Sequence, residues 1–99
     1  MDDSSGVGVL DKAVRVLAAL EAGPASLASL VANTGLARPT AHRLAVALEH
    51  HRLVMRDMQG RFVLGPRLAE LASAAGEAYG LPQQDVVVLR RAGLVHALG

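Results

Sequence analysis

Apolar residues recur every three or four positions in several stretches of the chain, which is the spacing that buries one face of an α-helix. The first stretch predicts helix 1 at about residues 9–22, with Gly23-Pro24 ending it. The second predicts helix 2 at about 27–33, because Ser26 can cap its start and Gly35 can adopt the left-handed conformation that follows a helix.

A third helix follows helix 2 after only a few residues. Pro39 suits the first turn of a helix, since it has no N–H to leave unpaired there, and Leu44, Ala47 and Leu48 form a predicted buried stripe. Helix 3 is accordingly predicted at about 39–50. Two helices joined by a tight turn that contains glycine are the sequence outline of a helix-turn-helix.

The apolar period changes after helix 3. Two short apolar runs, at about 53–56 and 61–64, flank a polar link that contains Gly60, which predicts the strands of a β-hairpin. A further helical stripe predicts helix 4 at about 66–78. The order helix, helix, helix, strand, strand, helix predicts a mainly α fold with a small β-hairpin, namely a winged helix-turn-helix.

Composition narrows the classes of function. The 99 residues contain no cysteine, which excludes disulfide scaffolds, thiolate zinc fingers and cysteine nucleophiles. With no tryptophan, one tyrosine and one phenylalanine, a protein that stacks bases on an aromatic sheet is not expected. The acidic N-terminus does not fit a signal peptide, and the longest uncharged run, 16 residues from Ala22 to Ala37, is too short to span a membrane. We therefore expect a cytoplasmic protein that has no membrane partner.

The formal net charge of +1 hides an asymmetry along the chain. The segment from Leu36 to Arg67 carries six arginines against Glu49 and Asp57, a net charge of +4, whereas the rest of the chain carries −3. Local basic charge of this kind is typical of a surface that binds a polyanion, although an ordinary solvated surface is the alternative. The six cations are Arg38, Arg43, Arg52, Arg56, Arg61 and Arg67.

The start of the predicted helix 3 holds the main candidates for DNA contact, because the N-terminal part of the second helix of a helix-turn-helix faces the base edges. Arg43 is the leading candidate for a base contact, since its guanidinium group matches guanine O6 and N7. Arg38 could contact a base or a phosphate. Thr40 could contact a phosphate or a thymine methyl group, or could instead cap the helix. Pro39 and His42 complete this group, His42 as a candidate backbone contact.

The predicted wing holds a second set of candidates. Arg56, Gln59 and Arg61 lie on or beside the hairpin turn, where they could contact the DNA backbone or the minor groove. The alternative is that these charges protect an exposed strand edge from aggregation. Arg52, at the end of helix 3, is added to the candidate DNA-binding residues.

No other motif indicates chemistry. His50 and His51 are adjacent and would point about 100° apart on a helix, so they do not form a metal site without further ligands. Glu49 and Asp57 do not form a catalytic pair, and Gly6-Val7-Gly8 lacks the preceding strand of a nucleotide-binding loop. We expect no catalytic residue, no metal and no cofactor, so the protein is not expected to be an enzyme.

The stretch from residue 9 to about residue 78 resembles the N-terminal DNA-binding domain of the IclR family of bacterial transcription regulators. The resemblance lies in several blocks whose order and spacing match together. They are Lys12–Leu17 in helix 1, Ser26–Leu36 in helix 2 and the turn, Thr40–Leu44 in helix 3, and Arg56-Asp57, Gly60–Phe62 and Leu64–Leu68 in the wing and helix 4. Within the family, the run Thr40–Arg52 is similar to actinobacterial regulators of amino-acid and leucine biosynthesis.

The resemblance implies sequence-specific binding of double-stranded DNA, with a homodimer formed through helix 1 and the linker helix on a pseudo-palindromic operator. Family members continue into a small-molecule effector domain that is absent from this chain. The sequence departs from the family at Arg52, where glycine is usual, at Leu53, where an aromatic residue is usual, and at Pro39, which replaces a serine. The exit from helix 3 is therefore expected to be capped differently.

The expected domain organisation is a disordered N-terminus at 1–8, a winged helix-turn-helix at 9–65, a linker helix at 66–80 and an unassigned tail at 81–99. A winged helix that binds other proteins without DNA specificity is the alternative function. Arginines scattered over opposite faces of the domain would favour that alternative.

Overall fold

The computed structural model describes residues 5–78 of the chain. These residues form four helices and a two-stranded antiparallel sheet, which confirms the predicted winged helix fold. The elements are α1 (Gly8–Leu20), α2 (Leu27–Thr34), α3 (Arg38–His50), β1 (Val54–Arg56), β2 (Phe62–Leu64) and α4 (Pro66–Ala78). The chain divides into two compact units, the first ending at Pro66 and the second beginning at Arg67. The predicted end of the linker helix at 79–80 and the tail at 81–99 lie outside the described residues.

Helix α1 begins at Gly8, inside the segment that the sequence predicts to be disordered. The backbone N–H and the hydroxyl group of Ser5 donate to the carboxylate of Asp11, at 3.0 and 2.5 Å. Asp11 lies in the first turn of α1, where the helix dipole stabilises a negative charge. Residues 5–8 thus have a defined conformation, and residues 1–4 lie outside the described part of the chain.

The boundaries of α2 follow from its flanking residues, as predicted. The Ser26 hydroxyl accepts a hydrogen bond from the Ser29 N–H at 3.1 Å, and this satisfies a donor that the helix leaves unpaired. At the other end Gly35 has a φ of 72°, and its N–H donates to the Val31 carbonyl at 3.0 Å. A glycine adopts this left-handed conformation without steric cost, so the chain can turn sharply into α3.

The exit from α3 is a left-handed helix cap formed by an arginine. Arg52 has a φ of 62°. Its N–H donates to the Glu49 carbonyl at 3.0 Å, and the Leu53 N–H donates to the Leu48 carbonyl at 3.0 Å. These two bonds form the Schellman pattern. Arg52 thus adopts the left-handed conformation that favours glycine, and its side chain carries the steric cost of a positive φ.

The hairpin pairs Val54 with Leu64, Met55 with Val63 and Arg56 with Phe62. The link between α1 and α2 pairs with this hairpin through Ala25 alone, and the sequence pattern did not predict this pairing. The Ala25 N–H donates to the Phe62 carbonyl at 2.9 Å, and the Phe62 N–H donates to the Ala25 carbonyl at 2.8 Å. This bridge ties the link between α1 and α2 to the wing.

One apolar core joins α1, α2, α3 and the hairpin. Its buried residues are Val16, Leu20, Ala25, Leu30, Leu36, Ala41, Ala45, Leu48, Val54 and Phe62. On α3 the buried stripe is Ala41, Ala45 and Leu48, whereas Ala47 is exposed and Leu44 only half-buried. The predicted stripe of Leu44, Ala47 and Leu48 was thus partly wrong. The outward face of α3 is the one opposite the observed buried stripe.

Candidate nucleic-acid interface

The first turns of α3 present polar and basic side chains to solvent. Arg38, Pro39, His42 and Arg43 are exposed, while Ala41, between them in sequence, is fully buried. Residues four apart lie on the same side of a helix, so Arg38 and His42 are neighbours along one row, and Pro39 and Arg43 along the next. Four of the five candidates at this end of α3 therefore form one outward surface, and we call these four residues the α3 surface.

The two arginines of the α3 surface have no ion pair or hydrogen bond with any residue in the described part of the chain. No group within residues 5–78 therefore occupies the guanidinium groups of Arg38 and Arg43, and their donors face no acceptor from that part of the chain. This arrangement suits an anionic or hydrogen-bonding ligand such as a phosphate or a base edge.

Thr40 is half-buried at the edge of the α3 surface. The residue before the first turn of α3 is Ala37, and no side chain caps this end. The alternative role of Thr40 as the helix cap is therefore not supported. Its hydroxyl lies in the first turn, beside the exposed pair Arg38 and Pro39.

The turn between α2 and α3 is fixed by a buried hydroxyl group that sequence reasoning missed. The Thr34 hydroxyl donates to the Leu30 carbonyl at 2.6 Å and accepts from the Leu36 N–H at 3.2 Å. The Arg15 guanidinium of α1 donates to the Thr34 carbonyl at 3.0 Å. These bonds connect α1, α2 and the start of the next helix, so they set the direction in which α3 projects. A threonine directly before a C-terminal glycine was the available sequence signal.

Arg52 lies at the other end of α3, about 20 Å from Arg38 at a rise of 1.5 Å per residue. It is exposed. The structure therefore does not bring Arg52 together with the α3 surface, but places it next to the wing.

Both wing arginines make ion pairs. The Arg61 Nε donates to an Asp57 carboxylate oxygen at 2.9 Å, within the hairpin turn. The Arg56 Nε lies 3.4 Å from the Glu49 carboxylate, and its guanidinium carbon lies 4.8 Å from the centre of the Phe62 ring. The two acidic residues of the basic segment are thus both used to balance wing arginines. Of the six arginines, Arg67 is also paired, with Glu70 on α4 at 3.0 Å.

Asp57 organises the wing turn. Its carboxylate accepts hydrogen bonds from the backbone N–H groups of Gln59 and Arg61, at 3.0 and 2.9 Å. Partial burial raises the pKa of Asp57, but the hydrogen bonds from Arg61 and Gln59 and the Arg61 charge outweigh it, so the pKa lies below its usual value. The turn is therefore held by an ionised carboxylate, and it carries the fully exposed side chain of Met58 and the exposed side chain of Gln59.

The two adjacent histidines pack against each other at the end of α3, with ring centres 5.0 Å apart and planes at 85°. Within residues 5–78, no three side chains of the metal-binding types gather into a possible metal site. No helix in the same range has the length and hydropathy needed to cross a bilayer.

Comparison with known proteins agrees with this geometry. Residues 9–58 match the IclR helix-turn-helix domain. An IclR transcriptional regulator from Alicyclobacillus acidocaldarius is 29% identical, with a TM-score of 0.68 over 73% of this chain and 30% of that one. The Thermotoga maritima IclR is 26% identical, with a TM-score of 0.61 over 69% of this chain and 28% of that one.

A Rhodococcus regulator of the IclR family is also 26% identical, with a TM-score of 0.60 over 74% of this chain and 31% of that one. The chain thus spans less than a third of the length of each regulator. No curated protein matches it closely enough to add a relative. Because the matched domain covers half of the sequence and the fold of described residues is the same, this chain belongs to the IclR family of helix-turn-helix transcriptional regulators.

Proposed function

We propose that this chain binds double-stranded DNA with sequence specificity, with α3 in the major groove and the wing on the backbone or in the minor groove. The observation that carries the proposal is the α3 surface, where Arg38 and Arg43 are exposed without an ion pair among the described residues. An α-helix fits the major groove of B-DNA, and the buried Ala41 and Ala45 keep the opposite face of α3 against the core.

Each candidate residue of α3 would make a different kind of contact with DNA. Arg43 would donate a pair of hydrogen bonds to guanine, and Arg38 would contact a base or a phosphate. Thr40 and His42 would contact phosphate or backbone atoms, and Thr40 could also touch a thymine methyl group. Pro39 would approach the groove wall without donating a hydrogen bond.

The wing would fix the register of the protein on the duplex. Arg61 uses its Nε for Asp57, which leaves its terminal nitrogens for a phosphate. Gln59 at the tip and Arg52 beside the wing would add further contacts. Such contacts carry affinity rather than base specificity.

A homodimer through α1 and the linker helix is part of the proposal. The first half of α1 exposes large apolar residues: Val9 is 70% exposed, and Leu10 and Val14 are each 53% exposed. Apolar surface of this kind is commonly covered by a partner. Two copies related by a two-fold axis would bind a pseudo-palindromic site.

The proposed domain organisation is a winged helix-turn-helix at 9–65 followed by a linker helix that begins at Pro66, in a regulator that acts in the cytoplasm. The resemblance of Thr40–Arg52 to actinobacterial regulators extends the proposal to control of amino-acid biosynthesis genes. Selection of bound sequences from randomised duplexes would supply the operator and test this assignment.

The decisive experiment measures affinity for a selected duplex as a function of salt. Binding through phosphates predicts that log K falls linearly with log salt, by about 0.9 per phosphate contact. Arg43→Ala should weaken binding to the selected duplex by about 1–3 kcal/mol and leave binding to random DNA largely intact. Lys12→Ala, which removes an exposed cation from α1, is the matched control and should retain specificity. Absence of any salt dependence would refute DNA binding and favour a protein-binding module.

A further inference from the structure

Arg56 is held between the recognition helix and the wing. Its Nε lies 3.4 Å from each carboxylate oxygen of Glu49, which sits in the last turn of α3. One face of its guanidinium group covers the Phe62 ring, at 4.8 Å from the ring centre. Phe62 is only 3% exposed, and both its N–H and its carbonyl are hydrogen-bonded to Ala25, so the ring has a fixed position.

Both contacts reduce what Arg56 can offer to a phosphate. The ion pair balances the charge of Arg56 locally, and the ring occupies one face of its guanidinium plane. Contact with DNA would require Arg56 to share or leave both partners. Arg61 is ion-paired through its Nε as well, so the ion pair alone does not separate the two arginines. They differ because Arg56 joins α3 to the wing and stacks on Phe62, whereas the Asp57 partner of Arg61 lies in the same hairpin turn and no ring within residues 5–78 covers Arg61.

We propose that Arg56 is a positioning residue that holds the wing at a fixed distance from the C-terminal end of α3, and that it is not a phosphate ligand. Glu49 and Phe62 are its two anchors. The inference rests on the proposed DNA-binding function and refines it, because it separates the arginine that sets the wing geometry from those that contact DNA.

The test is a double variant that removes the ion pair without changing net charge, Glu49→Gln with Arg56→Gln. Affinity is measured for a selected duplex and for a random duplex across a range of salt, and Arg38→Gln serves as the comparison that loses a free cation. The double variant should keep the wild-type salt slope. It should lower the ratio of specific to non-specific affinity by about two- to fivefold, because a wing that is less well placed aligns α3 less well.

A salt slope that is shallower by about 0.9 per chain would overturn the proposal, since it would show that Arg56 binds a phosphate. An unchanged affinity ratio would overturn it as well. A wild-type protein without any salt slope would instead refute the DNA-binding function itself, so the two failures are distinguishable.

A second variant, Arg56→Lys, covers the case in which the double variant does not fold. Lysine keeps the positive charge but lacks the planar group that stacks on Phe62 and reaches Glu49. A positioning role predicts that Arg56→Lys loses specificity at an unchanged salt slope. Retention of wild-type specificity would mean that a point charge is sufficient, as expected for a phosphate ligand, and would contradict the proposal.

Discussion

The turn that leads into α3 depends on the hydroxyl group of Thr34, and a replacement by valine isolates its contribution. Thr34 is only 6% exposed, and its oxygen links the Leu30 carbonyl to the Leu36 N–H. Valine keeps the shape of the side chain and removes both hydrogen bonds. The Leu36 N–H would then lose its hydroxyl acceptor, beside a side chain that is itself 7% exposed.

The expected cost follows from that unpaired donor. A buried polar group that loses its partner destabilises a protein by about 1–3 kcal/mol. For a domain of this size, each kcal/mol lowers the melting temperature by about 4–8 °C, so Thr34→Val should melt on the order of 5–20 °C below the wild type. The affinity for DNA should fall as well, because the turn that orients α3 loses a restraint.

Thr34→Ser is the matched control, because it keeps the oxygen atom and removes one buried methyl group. That change should cost about 1 kcal/mol. Thermal unfolding followed by circular dichroism, at one fixed protein concentration, should therefore give the highest melting temperature for the wild type, an intermediate one for Thr34→Ser and the lowest for Thr34→Val. A valine variant as stable as the serine variant, or more stable, would show that packing rather than hydrogen bonding holds the turn.

Three further predictions concern the exit from α3 and the wing. Gly65→Ala should destabilise the fold by about 1–3 kcal/mol, because a Cβ atom there would lie 2.3 Å from the Arg52 carbonyl oxygen; Gly8→Ala, where a Cβ meets nothing within 4 Å, should leave the melting temperature unchanged or slightly higher. Arg52→Gly should relieve the positive φ and stabilise the protein by about 1 kcal/mol. It should also make the salt slope for DNA shallower by about 0.9 per chain, and an unchanged slope would remove Arg52 from the contact set. The lowered pKa of Asp57 means that its contribution to stability is present above its ordinary pKa and is lost as the pH falls through the folded-state value. Chemical unfolding at pH 7 and in acid should therefore show a smaller difference for Asp57→Asn than for the wild type, and an equal difference would contradict the role of the ionised turn.

The sequence predicted the elements of this fold closely because their boundaries depend on local signals. Ser26 and Gly35 bound α2 through bonds to residues three or four positions away, and these bonds are the ones that the residue types suggest. The hairpin likewise follows from apolar runs around a glycine-bearing turn. Non-local pairings were not predictable in this way. The bridge between Ala25 and Phe62 joins residues far apart in sequence and involves a single position, so no alternation marks it.

The buried face of α3 shows the same limit. Periodicity alone permits Leu44, Ala47 and Leu48 as a stripe, but the path of α1 and α2 across α3 decides which positions are covered. In the structure the small residues Ala41 and Ala45 are fully buried, so they let the other helices approach closely, and the larger Leu44 is left at the margin. Burial depends on the neighbour as well as on the helix, and a single sequence does not contain that geometry.

Charge is where the structure changes the functional picture most. A sum over the sequence counts six equivalent arginines between Leu36 and Arg67, yet the fold makes them unequal. Arg56, Arg61 and Arg67 are each paired with a carboxylate, whereas Arg38 and Arg43 form no ion pair within residues 5–78. An intramolecular ion pair offsets part of the charge that attracts a phosphate, so Arg38 and Arg43 at the start of α3 retain more of that charge than Arg56 and Arg61 in the wing do. The arginines without an ion pair within residues 5–78 thus lie where base contacts are proposed, and the positioning role proposed for Arg56 leaves the proposed phosphate contacts of the wing to its other residues.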